Sequence, residues 1–86
     1  PAARLWEASI RNNLGVALQE LGQPESALAC YKKALEIDGL NEAALQNIAA
    51  LTVNQGRLRL AAECVRRALL LNPENKTARR LATEIM

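Results

Sequence analysis

The stretch NNLGVALQELGQPESALACYKKALEIDGLN, residues 12–41, is one helical pattern broken at Gly22-Gln23-Pro24 and stopped at Gly39. Before the break, Leu14, Ala17, Leu18 and Leu21 follow the i, i+3, i+4, i+7 spacing of one helix face. After it, Ala27, Leu28, Tyr31, Ala34 and Leu35 do the same. Gly22 can take the left-handed conformation that ends a helix, and Pro24 suits the first turn of the next. So short a turn predicts two antiparallel helices.

The pattern then recurs. Shifted by 34 residues, 8–41 falls on 42–75: Asn13 lands on Asn47, Gly22 on Gly56, Ala27 on Ala61, Cys30 on Cys64, Ala34-Leu35 on Ala68-Leu69 and Asn41 on Asn75. Leu14 and Ile48, Gly15 and Ala49, Lys33 and Arg67, and Ile37 and Leu71 are similar pairs. The matches fall on small residues, turn glycines and the apolar stripe. Gly39 in one unit and Pro73 in the other mark the stop between units. Gly15, Ala27, Ala49 and Ala61 are small enough to let facing helices approach closely.

The 34-residue period, with Leu14-Gly15, Gly22, Ala27, Tyr31, Ala34 and Pro73, resembles the tetratricopeptide repeat. The resemblance covers 8–41 and 42–75 as two full repeats. Residues 76–86 are then a capping helix or the start of a third repeat, and 1–86 form a single domain. Arg11, Gly39, Thr52 and Val65 depart from the family pattern. The resemblance implies an all-α solenoid of antiparallel helix pairs, with the first helix of each pair lining a concave groove. Family members are mostly binding scaffolds for a partner peptide or helix.

Composition is consistent with that reading. Of 86 residues half are hydrophobic, yet there is no Phe, one Trp and one Tyr, so the core must be aliphatic and alanine-rich. With no histidine, no Ser-His or Cys-His nucleophile pair and no His metal ligand can form. Two cysteines cannot build a four-ligand zinc site alone, and no cofactor is expected. Glu20 and Glu84 approach the expected groove, but a carboxylate without a partner base or metal is no active site. The chain is therefore read as non-catalytic. No window approaches the apolar length needed to span a membrane, and no signal-peptide pattern is present. The chain begins at Pro1 without an initiator Met, as expected of a piece of a longer protein.

If the resemblance holds, Ser9, Asn12, Asn13, Val16, Gln19 and Glu20 line the groove from the first unit. Ala43, Gln46, Asn47, Ala50, Val53 and Asn54 do so from the second, and Thr77, Arg80, Leu81 and Glu84 from the last helix. Carboxamides offer both donors and acceptors, as an extended peptide main chain requires. Asn13 and Asn47 recur in register and are expected to form a short ladder for such a ligand; the alternative is that they satisfy local groups or water. Val16, Ala50, Val53 and Leu81 offer an apolar floor for a hydrophobic or amphipathic ligand, unless a neighbouring segment covers them. The clamp by which some family members hold acidic chaperone tails implies basic side chains at 12, 77 and 81 and asparagines at 16 and 47. Here Asn12, Val16, Asn47, Thr77 and Leu81 stand at those positions, so that mode is not expected.

The ends and the back are less specific. On 58–71, Leu58, Ala61, Ala62, Val65, Ala68 and Leu69 share a face, leaving Leu60 and Leu70 to point outward and mark a secondary contact or nothing. Ala78, Leu81, Ala82 and Ile85 form a stripe suited to covering the second unit. Trp6 either caps the first helix pair, the favoured reading, or binds another copy or domain. Cys30 and Cys64, one repeat apart, are expected to lie too far apart for a disulfide, which favours a cytoplasmic setting.

The primary reading is a protein-interaction scaffold; the alternative is self-association or packing against other domains of a larger protein. Net charge is +2. Residues 57–86 carry seven basic and three acidic side chains, against four and six over 1–56. Arg57, Arg59, Arg66, Arg67, Arg79 and Arg80 therefore make polyanion or nucleic-acid binding the third reading, without the aromatics or motif such binding usually shows.

Overall fold

Gly22 (φ 79°) and Gly56 (φ 74°) adopt the left-handed conformation expected of them, and each closes a helix in the same way. Gly22 N–H donates to Gln19 O (3.0 Å) and Gln23 N–H to Leu18 O (2.9 Å); Gly56 donates to Val53 O (3.0 Å) and Arg57 to Thr52 O (2.8 Å). This paired return of two N–H groups to the last turn is the Schellman arrangement, satisfying carbonyls that the helix end orphans.

The protein is described by a computed structural model, covering the backbone of residues 2–85 and the side chains of 4–85; Pro1 and Met86, the chain ends, lie outside the described residues. The helices are α1 (Ala2–Glu20), α2 (Pro24–Ile37), α3 (Glu42–Asn54), α4 (Leu58–Leu71) and α5 (Lys76–Ile85). Pro24 opens α2 as expected. α1 packs on α2 and α3 on α4 as hairpins; α2 meets α3, and α5 lies across α3 and α4. The fold is all-α, an antiparallel helix-pair solenoid with a fifth helix lying on the second pair.

The connections between units are also alike. Asp38 Oδ1 accepts from Leu40 N–H and Asn72 Oδ1 from Glu74 N–H, both at 3.1 Å. Three residues on, Asn41 caps α3 by accepting from Ala44 N–H (3.0 Å), and Asn75 caps α5 by accepting from Ala78 N–H (2.9 Å). Asn41 and Asn75 thus recur for capping, a role the identity alone did not disclose.

Tyr31, Leu45, Ile48 and Thr52 are the largest fully buried side chains. Thr52 is tolerated there because its hydroxyl donates to Ile48 O at 2.7 Å. Gly15 lets α1 seat on α2: a Cβ at that position would lie 2.7 Å from Tyr31 Cδ1 and closer still to Cε1. Ala27 and Ala61 are buried completely, as close packing of the hairpins requires.

Three sequence expectations are corrected. The stripe Leu14, Ala17 and Leu21 is exposed; α1 instead buries Ala8, Asn12 and Gly15, with Leu18 half-buried. That stripe belongs to the outer side of the first unit, where no helix precedes it among the described residues. On α4, Leu58 and Ala62 are exposed, while Leu60 packs against the core and Leu70 stands in solvent. Trp6 lies on α1 but is exposed and caps no helix pair. Cys30 and Cys64 are free thiols, the first half-buried and the second buried.

Candidate functional site

The first helices α1 and α3 bring their facing amides together. Asn12, buried on α1, accepts a hydrogen bond through Oδ1 from Asn47 Nδ2 at 3.0 Å. The bond spans 35 residues, one more than the repeat, so it joins neighbouring units instead of equivalent positions. Asn13, the in-register counterpart of Asn47, is exposed. Asn47 reaches back to the preceding first helix, and Asn13 has no such helix behind it among the described residues.

Beside this pair lies an open cavity of about 380 Å³ lined by Val16, Gln19, Glu20, Tyr31 and Asn47. Tyr31, rising from α2, donates its hydroxyl to Gln19 Oε1 at 2.7 Å. Burial, and then the neighbouring Cys30 and Glu20, push the Tyr31 hydroxyl pKa above its ordinary value of 10.0, so it stays a neutral donor. The bond fixes the orientation of Gln19 and leaves its amide N–H groups free to face the cavity. By the same logic Asn47, having donated to Asn12, keeps its carbonyl oxygen as an acceptor. The cavity thus offers a held donor and a held acceptor above the apolar Val16.

Further along the same face the remaining candidates divide. Asn54 is exposed on α3. Ala50 and Val53 are half-buried against the core. Gln46 is turned to the inter-unit joint, its Oε1 accepting from Asn75 Nδ2 at 3.0 Å. Glu42 accepts there too, from Asn72 at 3.1 Å and from Asn75. This amide-and-carboxylate cluster ties α3 to the loop before α5. Arg80 is exposed on α5 and pairs with Glu84 at 3.8 Å. Leu81, expected in the groove floor, is buried in the core beside Ala78, because α5 turns its apolar stripe onto α3 and α4.

The sequence pattern puts Gln19 toward the groove and Tyr31 in the apolar stripe, without joining them. The signal was available: a lone tyrosine in a helix-pair core must find a polar partner for its hydroxyl.

The basic C-terminal part is interleaved with acid. Arg66, Arg79 and Arg80 pair with Glu63, Glu74 and Glu84 at 2.9, 3.5 and 3.8 Å. Arg67 donates to Gly39 O at 3.3 Å. Among the described residues no cluster of three or more potential acidic or thiol ligands could hold a metal ion, and no helix is long and apolar enough to cross a membrane.

Comparison with known families matches two tetratricopeptide repeat models, over residues 8–39 and 42–75. No curated protein matches the chain. The two matched segments coincide with the two helix hairpins and cover most of the sequence: the chain belongs to the tetratricopeptide repeat family, whose repeats generally mediate protein–protein interaction and are typically non-catalytic scaffolds.

Proposed function

We propose that the concave face between α1 and α3 holds an extended segment of a partner protein. The observation that carries this reading is the Asn12–Asn47 bond, which pins Asn47 beside the Gln19–Tyr31 pair at the cavity. A ligand main-chain N–H would donate to Asn47 Oδ1, and its carbonyl would accept from Gln19 Nε2. The two amides are held before the ligand arrives, so less side-chain entropy is lost on binding. Val16 would receive an apolar ligand side chain, while the exposed Glu20 favours a basic one nearby. Of the other candidates, Asn13, Asn54 and Arg80 are exposed, and Gln46, Ala50 and Val53 are half-buried.

The test is a peptide selection against the folded chain, followed by calorimetry on the selected peptides. Asn47→Ala should weaken binding roughly tenfold, the value of one main-chain hydrogen bond to a held amide. Asn12→Ala, which touches no ligand, should weaken it less, by freeing Asn47. Selected peptides that bind Asn47→Ala and Gln19→Ala as tightly as the parent would remove this face from consideration.

A further inference from the structure

The sequence carries nine Asp and Glu side chains, and all but one of them are engaged by a neighbour. Five glutamates pair with a Lys or Arg close by on the chain, at 2.9–3.9 Å. Glu25 accepts from Gln55 Nε2 at 3.0 Å and Glu42 from Asn72 Nδ2 at 3.1 Å. Asp38 accepts from the Leu40 N–H at 3.1 Å. Glu20 is the exception: among the described residues nothing donates to it and no cation pairs with it.

That carboxylate lines the open cavity of about 380 Å³ beside Gln19, Tyr31 and Asn47. It is also the last residue of α1, whose final turn contains no basic side chain. A helix C-terminus carries partial negative charge, which favours a cation there and disfavours an anion. The Asn47 carbonyl oxygen, left free when Asn47 donates to Asn12, is a further acceptor at the same cavity. Negative charge is felt inside it: Glu20 contributes, after burial and Cys30, to holding the Tyr31 hydroxyl proton. One repeat later the position of Glu20 is taken by the neutral Asn54, so the second unit does not reproduce the charge.

Taking the concave face as the ligand site, we infer that this cavity selects a basic side chain of the partner segment, lysine or arginine, whose charge pairs with Glu20. The ligand cation meets the unpartnered carboxylate, the negative end of α1 and the Asn47 oxygen together. Glu20 is a specificity residue in this account. Its charge does nothing for the free fold, where it opposes the dipole of its own helix, and it finds its counter-charge only on the ligand.

A double-mutant cycle on peptides selected against the folded chain tests it. The peptides should carry a basic residue at one fixed position. Replacing that residue by an uncharged analogue, citrulline for arginine or acetyl-lysine for lysine, should weaken binding about fivefold in calorimetry. Glu20→Gln should weaken the basic peptide equally and leave the uncharged one unchanged. The melting temperature of the free Glu20→Gln protein should hold or rise, and added salt should shrink the difference between the two peptides. Selected peptides without a basic residue, or a Glu20→Gln effect that is absent or equal for both peptides, overturn the inference. Asn47→Ala and Gln19→Ala report separately on the main-chain contacts. If they weaken binding and Glu20→Gln does not, the ligand face stands and its charge preference falls; if only the Glu20 coupling survives, the reverse holds.

Discussion

Gly15 and Tyr31 show how single atoms set this fold. Gly15→Ala would drive a methyl group into the Tyr31 ring and should destabilise by about 1–3 kcal/mol, read from chemical denaturation. Ala27→Leu, at a completely buried contact, should cost about the same. Tyr31 and Cys64 also link stability to pH. Burial raises Tyr31 above its ordinary 10.0 and Cys64 above 9.0, so both bind protons more tightly when folded than when unfolded. Their contribution is therefore complete below pH 9 and is lost as pH climbs through the raised values. The melting temperature should fall from there upward, and Tyr31→Phe with Cys64→Ala should flatten that decline.

The helices and their joints follow from a few residues whose meaning differs in how far it can be read from sequence. Gly22, Gly56 and Pro24 announce turns because backbone conformation is a local property. Asn41 and Asn75 recur visibly, but whether an asparagine caps a helix or faces a groove depends on the first helical residue after it. Gly39 and Pro73 close equivalent joints, and the preceding residues Asp38 (φ −139°, ψ 94°) and Asn72 (φ −149°, ψ 95°) share the extended conformation that a following proline demands. Gly39→Pro should therefore be accepted and should raise stability by about 0.4–1 kcal/mol through the unfolded state. Asn75→Ala should do the opposite. It removes the α5 cap and the bonds to Glu42 and Gln46 together, costing about 1–2 kcal/mol or more and fraying α5 first, which hydrogen exchange would detect.

At the scale of the whole molecule, the period of 34 was enough to read the architecture, because each hairpin repeats the same local solution. It was not enough to read the site. A shift by one period finds equivalent residues, whereas the contact beside the candidate cavity links Asn12 to Asn47, between units and one residue out of register. The same limit explains Leu14 and Leu81. An apolar stripe tells that a face exists, and only the neighbours decide whether it is covered: α5 covers its own by lying on α3 and α4, while α1 leaves one open.

The central claim is that the concave face, with Asn47 held beside Gln19 and Tyr31, receives the partner segment. Side-chain amide resonances report it directly in a titration with peptides selected for binding. The account predicts that the Asn47 and Gln19 carboxamide signals move first and furthest, with the backbone amide signals of α4, which contributes nothing to the cavity, unmoved. Backbone amide shifts confined to α4, with the Asn47 and Gln19 signals stationary at saturation, would contradict it.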